Sequence, residues 1–532
     1  MARINRNVLG YVGLLLHTAA AMGTVGLAVA AGFGQWPLLP GFGVVIIVAG
    51  AVGQLLWRLR DKDQSVRSGA TMVSVAIAWM LLGILTAVPF LMAADSYESA
   101  SHYADPFNAW FEAISGVTST GLTITARPDL LPEGLQFWRS LLEWVGGAGL
   151  VLMVLALVEK VEDDYALYQA EARTRRIGDD VAQTVRSIWW IYLVFTAGAI
   201  GLMMLVGLGW WEAVNHGLTG IATGGFTIHG EGFAAYSTGP KLAMVAIMLL
   251  GAMSFSIHHS VLRRGNLRCL IAETQMKTFW IMLVAGTAGI SAIVYLRGEG
   301  ETWVDILFGW VSAMTTCGFS STDHNEWPSG AIVLLIFAMF IGGAAGSTAG
   351  GAKLRRIGYL SKGIIWRMRS AWLTEDEHVT YRLDGKKIDE DEAVHRLHSA
   401  GVTLALFLLT LIVGTFALLL VLPQDVALST ALFESASALG SGGLSSGLTN
   451  AGLNWQAKLV LILLMWMGRL EIMSVFVLVA VPIRSTRLLT SRLVRLPFEY
   501  VEDDDNSDNR DADEPSVDSS TGVDSSDQTD RS

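Results

Sequence analysis

The sequence predicts an all-α membrane protein: four pseudo-symmetric helix–loop–helix repeats around one central axis, with two extra N-terminal transmembrane helices. Three observations carry this. Apolar runs long enough to cross a bilayer recur along the 532 residues. Only 16% of the residues are charged, where a soluble domain carries about a quarter. A nine-residue glycine pattern occurs four times in the same setting.

A span needs about 20 mainly apolar residues. Ten segments qualify: 8–31, 38–57, 70–93, 137–158, 185–208, 240–262, 278–296, 330–360, 399–421 and 456–482. Between them lie four shorter half-apolar stretches, 105–118, 210–222, 302–315 and 426–439. These are too short to span and read as re-entrant or interfacial helices. With the amino terminus inside, 31 Lys and Arg fall on the inner side and five on the outer side, Arg127, Arg139, Lys241, Arg297 and Lys458. That asymmetry fixes both termini in the cytoplasm of a multi-pass cell-membrane protein and puts all four short stretches on the outer side. A cleaved signal peptide ending near Ala28-Val29-Ala30 is the alternative, but its apolar run is too long for a signal core.

The net charge of −11 lies in the carboxyl-terminal tail: residues 499–532 hold 13 of the 48 acids against Arg510 and Arg531. Such a segment cannot bury enough apolar surface to offset its chain entropy and is expected to be disordered. Cys269 and Cys317 are far apart, with no metal-binding or disulfide spacing. No phosphate-binding glycine loop, dinucleotide fingerprint or paired-histidine zinc motif occurs, so the sequence argues against an enzyme.

The outer ends of the short stretches align on a glycine. Residues 115–123 read Ser-Gly-Val-Thr-Ser-Thr-Gly-Leu-Thr, and 219–227 read Thr-Gly-Ile-Ala-Thr-Gly-Gly-Phe-Thr. Residues 312–320 read Ser-Ala-Met-Thr-Thr-Cys-Gly-Phe-Ser, and 437–445 read Ser-Ala-Leu-Gly-Ser-Gly-Gly-Leu-Ser. Each copy follows a span and a short helix and precedes another span, which marks a repeat architecture. Small-residue helix packing explains one copy but poorly explains four. A dehydrated cation needs a cage of oxygens, which rings of backbone carbonyls supply. Glycine tolerates the positive φ that aims successive carbonyls at one axis, and Ser or Thr can hold such backbone by local hydrogen bonds. The expected potassium filter is therefore Ser119, Thr120 and Gly121; Thr223, Gly224 and Gly225; Thr316, Cys317 and Gly318; Ser441, Gly442 and Gly443.

Glu112 and Glu434 lie nine residues before their glycines. They are expected to support the filter backbone, with direct ion contact as the alternative. Trp110, Trp210, Trp211 and Trp303 are expected at the outer interface or against the short helices. His258 and His259, at the inner end of a span, are expected to be interfacial or packing residues rather than ligands.

The span from 330 is interrupted by Gly342, Gly343, Gly346, Ser347, Thr348, Gly350 and Gly351, followed by Lys353. So many glycines make a poor helix interior. The segment reads either as small-residue packing or as an intramembrane loop beneath the filter. Arg469 lies about midway along 456–482, where a charge faces the bundle interior or water. It is expected to form a gate with the loop. Glu471 is two residues on and cannot share its face on a regular helix.

These features together resemble the Trk/Ktr/HKT potassium transporter superfamily, over about residues 1–496. The resemblance rests on the four glycine segments, Phe-Glu-Ala-Ile-Ser-Gly before the first, the glycine loop after the third, and Gly-Arg-Leu-Glu in the last span. The two extra spans favour the TrkH branch over the KtrB branch. The resemblance implies a homodimer with one pore per protomer and a cytosolic TrkA-type regulatory subunit that carries the nucleotide, the chain having no cofactor of its own. It implies gating by the 342–351 loop and Arg469. Gly121 is intact, which favours potassium, whereas Cys317 and Gly442 depart from the commonest pattern. A sodium-coupled symporter or sodium-permeable relative is the alternative. Membrane lipids are the other expected partner, and no nucleic acid is expected.

The expected organisation is two extra transmembrane helices in 1–62, then repeats at 63–178, 179–272, 273–360 and 399–496. The third repeat carries the loop, 361–398 is a cytoplasmic linker, and 497–532 is the acidic tail.

Overall fold

Backbone polar groups find no water inside a bilayer, so apolar segments must fold into helices or closed barrels. The computed structural model is mainly helical across its described membrane segments, with breaks inside several of them. It describes residues 6–60, 68–149, 181–297, 301–372, 379–384 and 386–485. The acidic tail and the basic segment at 159–180 lie outside the described residues. The first 482 residues form one compact unit.

The amino-terminal pair is α1 (Arg6–Gly32) and α2 (Leu39–Arg58). They approach closely where both lack side chains: a Cβ on Gly13 would lie 2.5 Å from the Gly53 carbonyl oxygen. The first repeat follows as α3 (Ser68–Thr86), α4 (Val88–Ala93), α5 (Pro106–Val117) and α6 (Glu133–Ala148). The second comprises α7 (Val181–Leu205), α8 (Trp210–Ile221), α9 (Thr238–Ala252), α10 (Phe255–Arg264) and the short α11 (Cys269–Ala272). The third comprises α12 (Thr274–Arg297), α13 (Trp303–Thr315), α14 (Ser329–Ile341) and α15 (Leu354–Ser370). The fourth comprises α16 (Glu390–Val421), α17 (Leu428–Gly440), α18 (Trp455–Arg469) and α19 (Met473–Ser485).

The four short helices α5, α8, α13 and α17 fall where the sequence puts them, within two residues at each end. The spans that follow them differ from expectation. Segments 240–262 and 456–482 are not continuous helices: α9 and α10 meet at 98°, and α18 and α19 at 114°. Met253 and Ser254 take extended backbone at the first break. Glu471 and Ile472 take positive φ, 50° and 67°, at the second. In the expected span 330–360, α14 stops at Ile341 and helix resumes at Leu354. The α6 helix ends at Ala148, and the rest of segment 137–158 lies beyond the described residues. Among the described residues, six helices are long and apolar enough to cross a membrane, and the two bent pairs raise this to eight.

The expected linker 361–398 is more ordered than that word implies. Helix α15 runs through to Ser370, Arg382–Leu383 pairs antiparallel with Lys386–Lys387, and α16 begins at Glu390. Trp366, Leu383 and Ala393 form a small apolar cluster that joins these pieces.

Candidate functional site

All four short helices end in one backbone pattern. Two residues before each aligned glycine, Ser119, Thr223, Thr316 and Ser441 take left-handed φ values of 54°, 50°, 54° and 52°. The next residue turns its N–H back to the carbonyl five positions earlier. Thr120 donates to Ser115 at 2.9 Å, Gly224 to Thr219 at 2.9 Å, Cys317 to Ser312 at 2.9 Å and Gly442 to Ser437 at 2.7 Å. The first Ser or Thr of the sequence pattern thus supplies the carbonyl that ends each helix. The glycines follow with φ of 85°, 110°, 88° and 72° at Gly121, Gly225, Gly318 and Gly443, a region unfavourable to any residue with a Cβ.

These turns close into a ring. A Cβ on Gly121 would lie 2.0 Å from the Gly224 oxygen, and one on Gly225 would lie 2.2 Å from the Cys317 oxygen. One on Gly318 would meet the Gly442 oxygen at 3.0 Å, and one on Gly443 the Thr120 oxygen at 2.4 Å. Each glycine faces the carbonyl of the next repeat, and the fourth returns to the first. All twelve expected filter residues lie in these four turns, and eight of them, Thr120, Gly121, Gly224, Gly225, Cys317, Gly318, Gly442 and Gly443, meet across the ring. The hydroxyls act less uniformly. Ser119 donates to the Ala222 carbonyl of the second repeat at 2.9 Å, whereas Thr223 and Thr316 bond the carbonyl preceding them at 2.7 Å.

Buried carboxylates hold the segments that leave the ring. Glu112 accepts from the Thr123 hydroxyl at 2.8 Å and the Ile124 N–H at 3.1 Å. Glu434 accepts from the Ser445 hydroxyl at 2.6 Å, the Ser446 N–H at 2.8 Å and the Thr449 hydroxyl at 2.9 Å. Both carboxylates are spent on protein donors. Glu112 also pairs with Arg139 at 2.8 Å, with both side chains fully buried. Arg139, counted on the outer side from the sequence, lies within α6 and donates to the Thr227 carbonyl at 2.8 Å. Glu143, one turn further, accepts the Phe226 N–H at 3.1 Å with both oxygens. The second repeat is thus supported from the first. At the position of Glu112, the second repeat has His216, which packs against Phe233, Tyr236 and Phe319. The third has Gly309, and a Cβ there would lie 2.7 Å from His324 Nε2.

A second set of glycines was missed in the sequence. Gly146, Gly251, Gly343 and Gly468 lie 25 or 26 residues after the ring glycines. A Cβ on Gly146 would lie 2.1 Å from the Val117 oxygen, on Gly251 2.7 Å from Ile221, and on Gly468 1.9 Å from Leu439. In these three repeats the helix behind the ring packs directly on the last turn of the short helix. The repeat spacing itself was the available signal.

The glycine loop crosses beneath the ring. The Thr348 hydroxyl donates to Gly251 at 2.8 Å and Ile221 at 3.1 Å in the second repeat. The Gly350 N–H donates to the Thr316 hydroxyl at 2.7 Å in the third. A Cβ on Gly350 would lie 2.2 Å from the Gly440 oxygen of the fourth. Gly342, Gly346 and Gly351 have φ of 71°, 78° and 77°, and Lys353 has 74°. Gly343 packs on Ala252 and Ala349, the Ser347 hydroxyl donates to Ala344 at 2.6 Å, and Lys353 Nζ donates to the Ala349 carbonyl. Arg469 completes the link to the first repeat. It donates to Thr348 O at 3.2 Å, to Gly147 O at 3.1 Å and to Gly146 O. Arg469 is the last residue of α18 rather than the middle of a continuous span. Glu471 does turn away from it, but because the helix breaks there, and its carboxylate pairs with Arg356.

The other expected residues sit as follows. His258 bonds the Leu250 carbonyl at 2.9 Å and packs on Phe195. Trp210 and Trp303 are exposed, and Trp211 donates to Gln136 at 2.7 Å. Cys269 and Cys317 are both free thiols.

The TrkH family profile, described as a cation transport protein, matches residues 41–490. The chain belongs to the TrkH family. An uncharacterized cation transporter of Methanocaldococcus jannaschii is 33% identical over 423 residues, 79% of this chain and 84% of that protein. The Trk system potassium uptake protein TrkH of Halomonas elongata is 30% identical over 451 residues, 82% of this chain and 89% of that protein. The crystal structure of the potassium transporter TrkH from Vibrio parahaemolyticus superposes with a TM-score of 0.74 at 26% identity, over 89% of this chain and 98% of that one. As a TrkH-family member, this is a multi-pass membrane transport protein rather than an enzyme.

Proposed function

We propose that the chain takes up potassium across the cell membrane through a filter lined by the carbonyls of Ser119–Gly121, Thr223–Gly225, Thr316–Gly318 and Ser441–Gly443. The observation that carries this is the closed ring in which each glycine faces the carbonyl of the next repeat. A potassium ion entering from outside sheds water and takes backbone oxygens in exchange. The short helices point their carbonyl ends at the ring, so their dipoles add negative potential. Glu112 and Glu434 hold the backbone from behind and do not touch the ion, in keeping with their full complement of protein donors. Four repeats, 63–178, 179–272, 273–360 and 399–496, each contribute one side.

The loop from Gly342 to Lys353 and the Arg469 guanidinium form the gate. Bonded to all four repeats beneath the ring, they close the cation path with backbone and a positive charge. Opening requires the loop to exchange these bonds for others, and a cytosolic nucleotide-binding subunit of the TrkA type is the regulator. The protein acts as a homodimer with both termini in the cytoplasm. The basic side of the molecule, carrying Arg263, Arg264 and the 353–396 segment, faces inward.

The test is rubidium or potassium uptake by purified protein in liposomes, with and without a sodium gradient, comparing wild type with Gly121→Ser and Gly318→Ser. Potassium-selective uptake that relaxes toward sodium in both variants is expected. Unchanged selectivity in both overturns the filter.

A further inference from the structure

Four residues of α7, Ser187, Trp190, Ile191 and Val194, recur at helical spacing and form one stripe. They face His259 and Arg263 of α10 across a groove of about 170 Å³. The groove exists because α10 leaves α9 at 98°, so that it runs across the end of the spanning bundle instead of along it. Its rim is amphipathic: Leu262, which also lines the groove, is 56% and Leu267 64% exposed, beside exposed Arg263, Arg264 and Arg268. Among the described residues none of these three arginines has a carboxylate at ion-pair distance. Trp190, 68% exposed, stands at the basic end of α7.

We propose that this groove binds an anionic phospholipid of the inner leaflet. An acyl chain lies along Trp190, Ile191 and Val194, and the phosphate sits against Arg263 with the Ser187 hydroxyl and His259 beside it. Charge complementarity selects the occupant. The groove joins an apolar wall to a basic rim without an ion-pair partner among the described residues, which fits a phosphate carrying a hydrocarbon chain and fits free phosphate poorly. Basic pockets between helices on the inner side bind such headgroups, and basic amphipathic helices lie in that interface. The site is separate from the ring. It adjoins α10, whose first residue Phe255 donates its N–H to the Gly346 carbonyl of the loop at 2.9 Å. The proposal rests on the inward orientation proposed above, but its test reads lipid and not ion flux.

The experiment is native mass spectrometry of the full chain exchanged into equal phosphatidylglycerol and phosphatidylcholine, with thermal unfolding as a folding control. Wild type is expected to retain phosphatidylglycerol preferentially. The Arg263→Gln/Arg264→Gln pair is expected to lower that preference roughly 10- to 30-fold, and Arg263→Lys to keep most of it. Trp190→Ala is expected to weaken both lipids, and millimolar inorganic phosphate to displace neither. Equal retention by the glutamine pair overturns the proposal, as does displacement by inorganic phosphate. So does a pair that loses only the capture of a cytosolic protein while its lipid preference stands.

Discussion

Arg469 Nη1 donates to the Thr348 carbonyl at 3.2 Å, while Thr348 Oγ1 donates to the Gly251 carbonyl at 2.8 Å. One residue of the loop therefore joins a guanidinium of the fourth repeat to backbone of the second. The same guanidinium reaches Gly146 and Gly147 of the first. Arg469→Ala removes the link and the charge together, and is expected to raise resting rubidium uptake several-fold. Arg469→Lys should fall between, because a single ammonium lacks the planar fork that spans both sets of carbonyls. Uptake equal to wild type in the alanine variant would remove Arg469 from the gate.

Thr316→Val tests the loop from the other side. It leaves the buried Gly350 N–H without its acceptor at 2.7 Å, a cost of about 1–3 kcal/mol. The closed loop should be destabilised by that amount. Thiol labelling of an Ala349→Cys reporter should then proceed faster in the valine background than in wild type, and equal rates would refute the assignment.

The two buried carboxylates should respond differently to loss of a partner. Arg139→Met strands Glu112 in a fully buried site, and breaking such a pair costs about 3–5 kcal/mol. A large fall in thermal stability is expected, together with lost uptake. Glu434 holds its four contacts with hydroxyl and N–H donors. Glu434→Gln keeps one acceptor oxygen and is expected to cost about 1–2 kcal/mol. Thermal unfolding of both variants ranks them, and the reverse order would contradict the geometry.

Gly468→Ala is expected to abolish uptake with little change in expression. Its Cβ would lie 1.9 Å from the Leu439 oxygen, so the last turn of α17 must move. Gly401→Ala on α16 meets nothing within 4 Å and is the matched control. Normal uptake by the first variant would show that α17 can shift without cost to the ring.

Much of this was legible from residue pattern. The short helices were readable because apolar runs of 12 to 14 residues cannot span, and the ring because glycine marks backbone that other residues resist. The left-handed Ser119, Thr223, Thr316 and Ser441 were not readable, since L-residues avoid that region and give no signal when tertiary packing imposes it. The pairing of Arg139 with Glu112 was not readable because the two residues lie 27 positions apart. The breaks after α9 and α18 escaped notice because long apolar runs carry across them, although Ser254–His259 and Arg469–Glu471 interrupt those runs. Contacts from other repeats make the bends: the Gly346 carbonyl in one case and Arg356 in the other.

The seam of the ring has a consequence for biogenesis. Thr120 meets Gly443, the first repeat against the last. A nascent chain inserted only through its third repeat has three sides of the ring and no fourth. Its carbonyls cannot surround an ion, and the loop that spans the opening lacks its anchor on Gly440 and its clasp from Arg469. On the filter and gate proposed above, conduit and stopper are completed by the same late stretch of polypeptide. With that assignment, at no stage of synthesis does the membrane hold a finished path without the means to shut it.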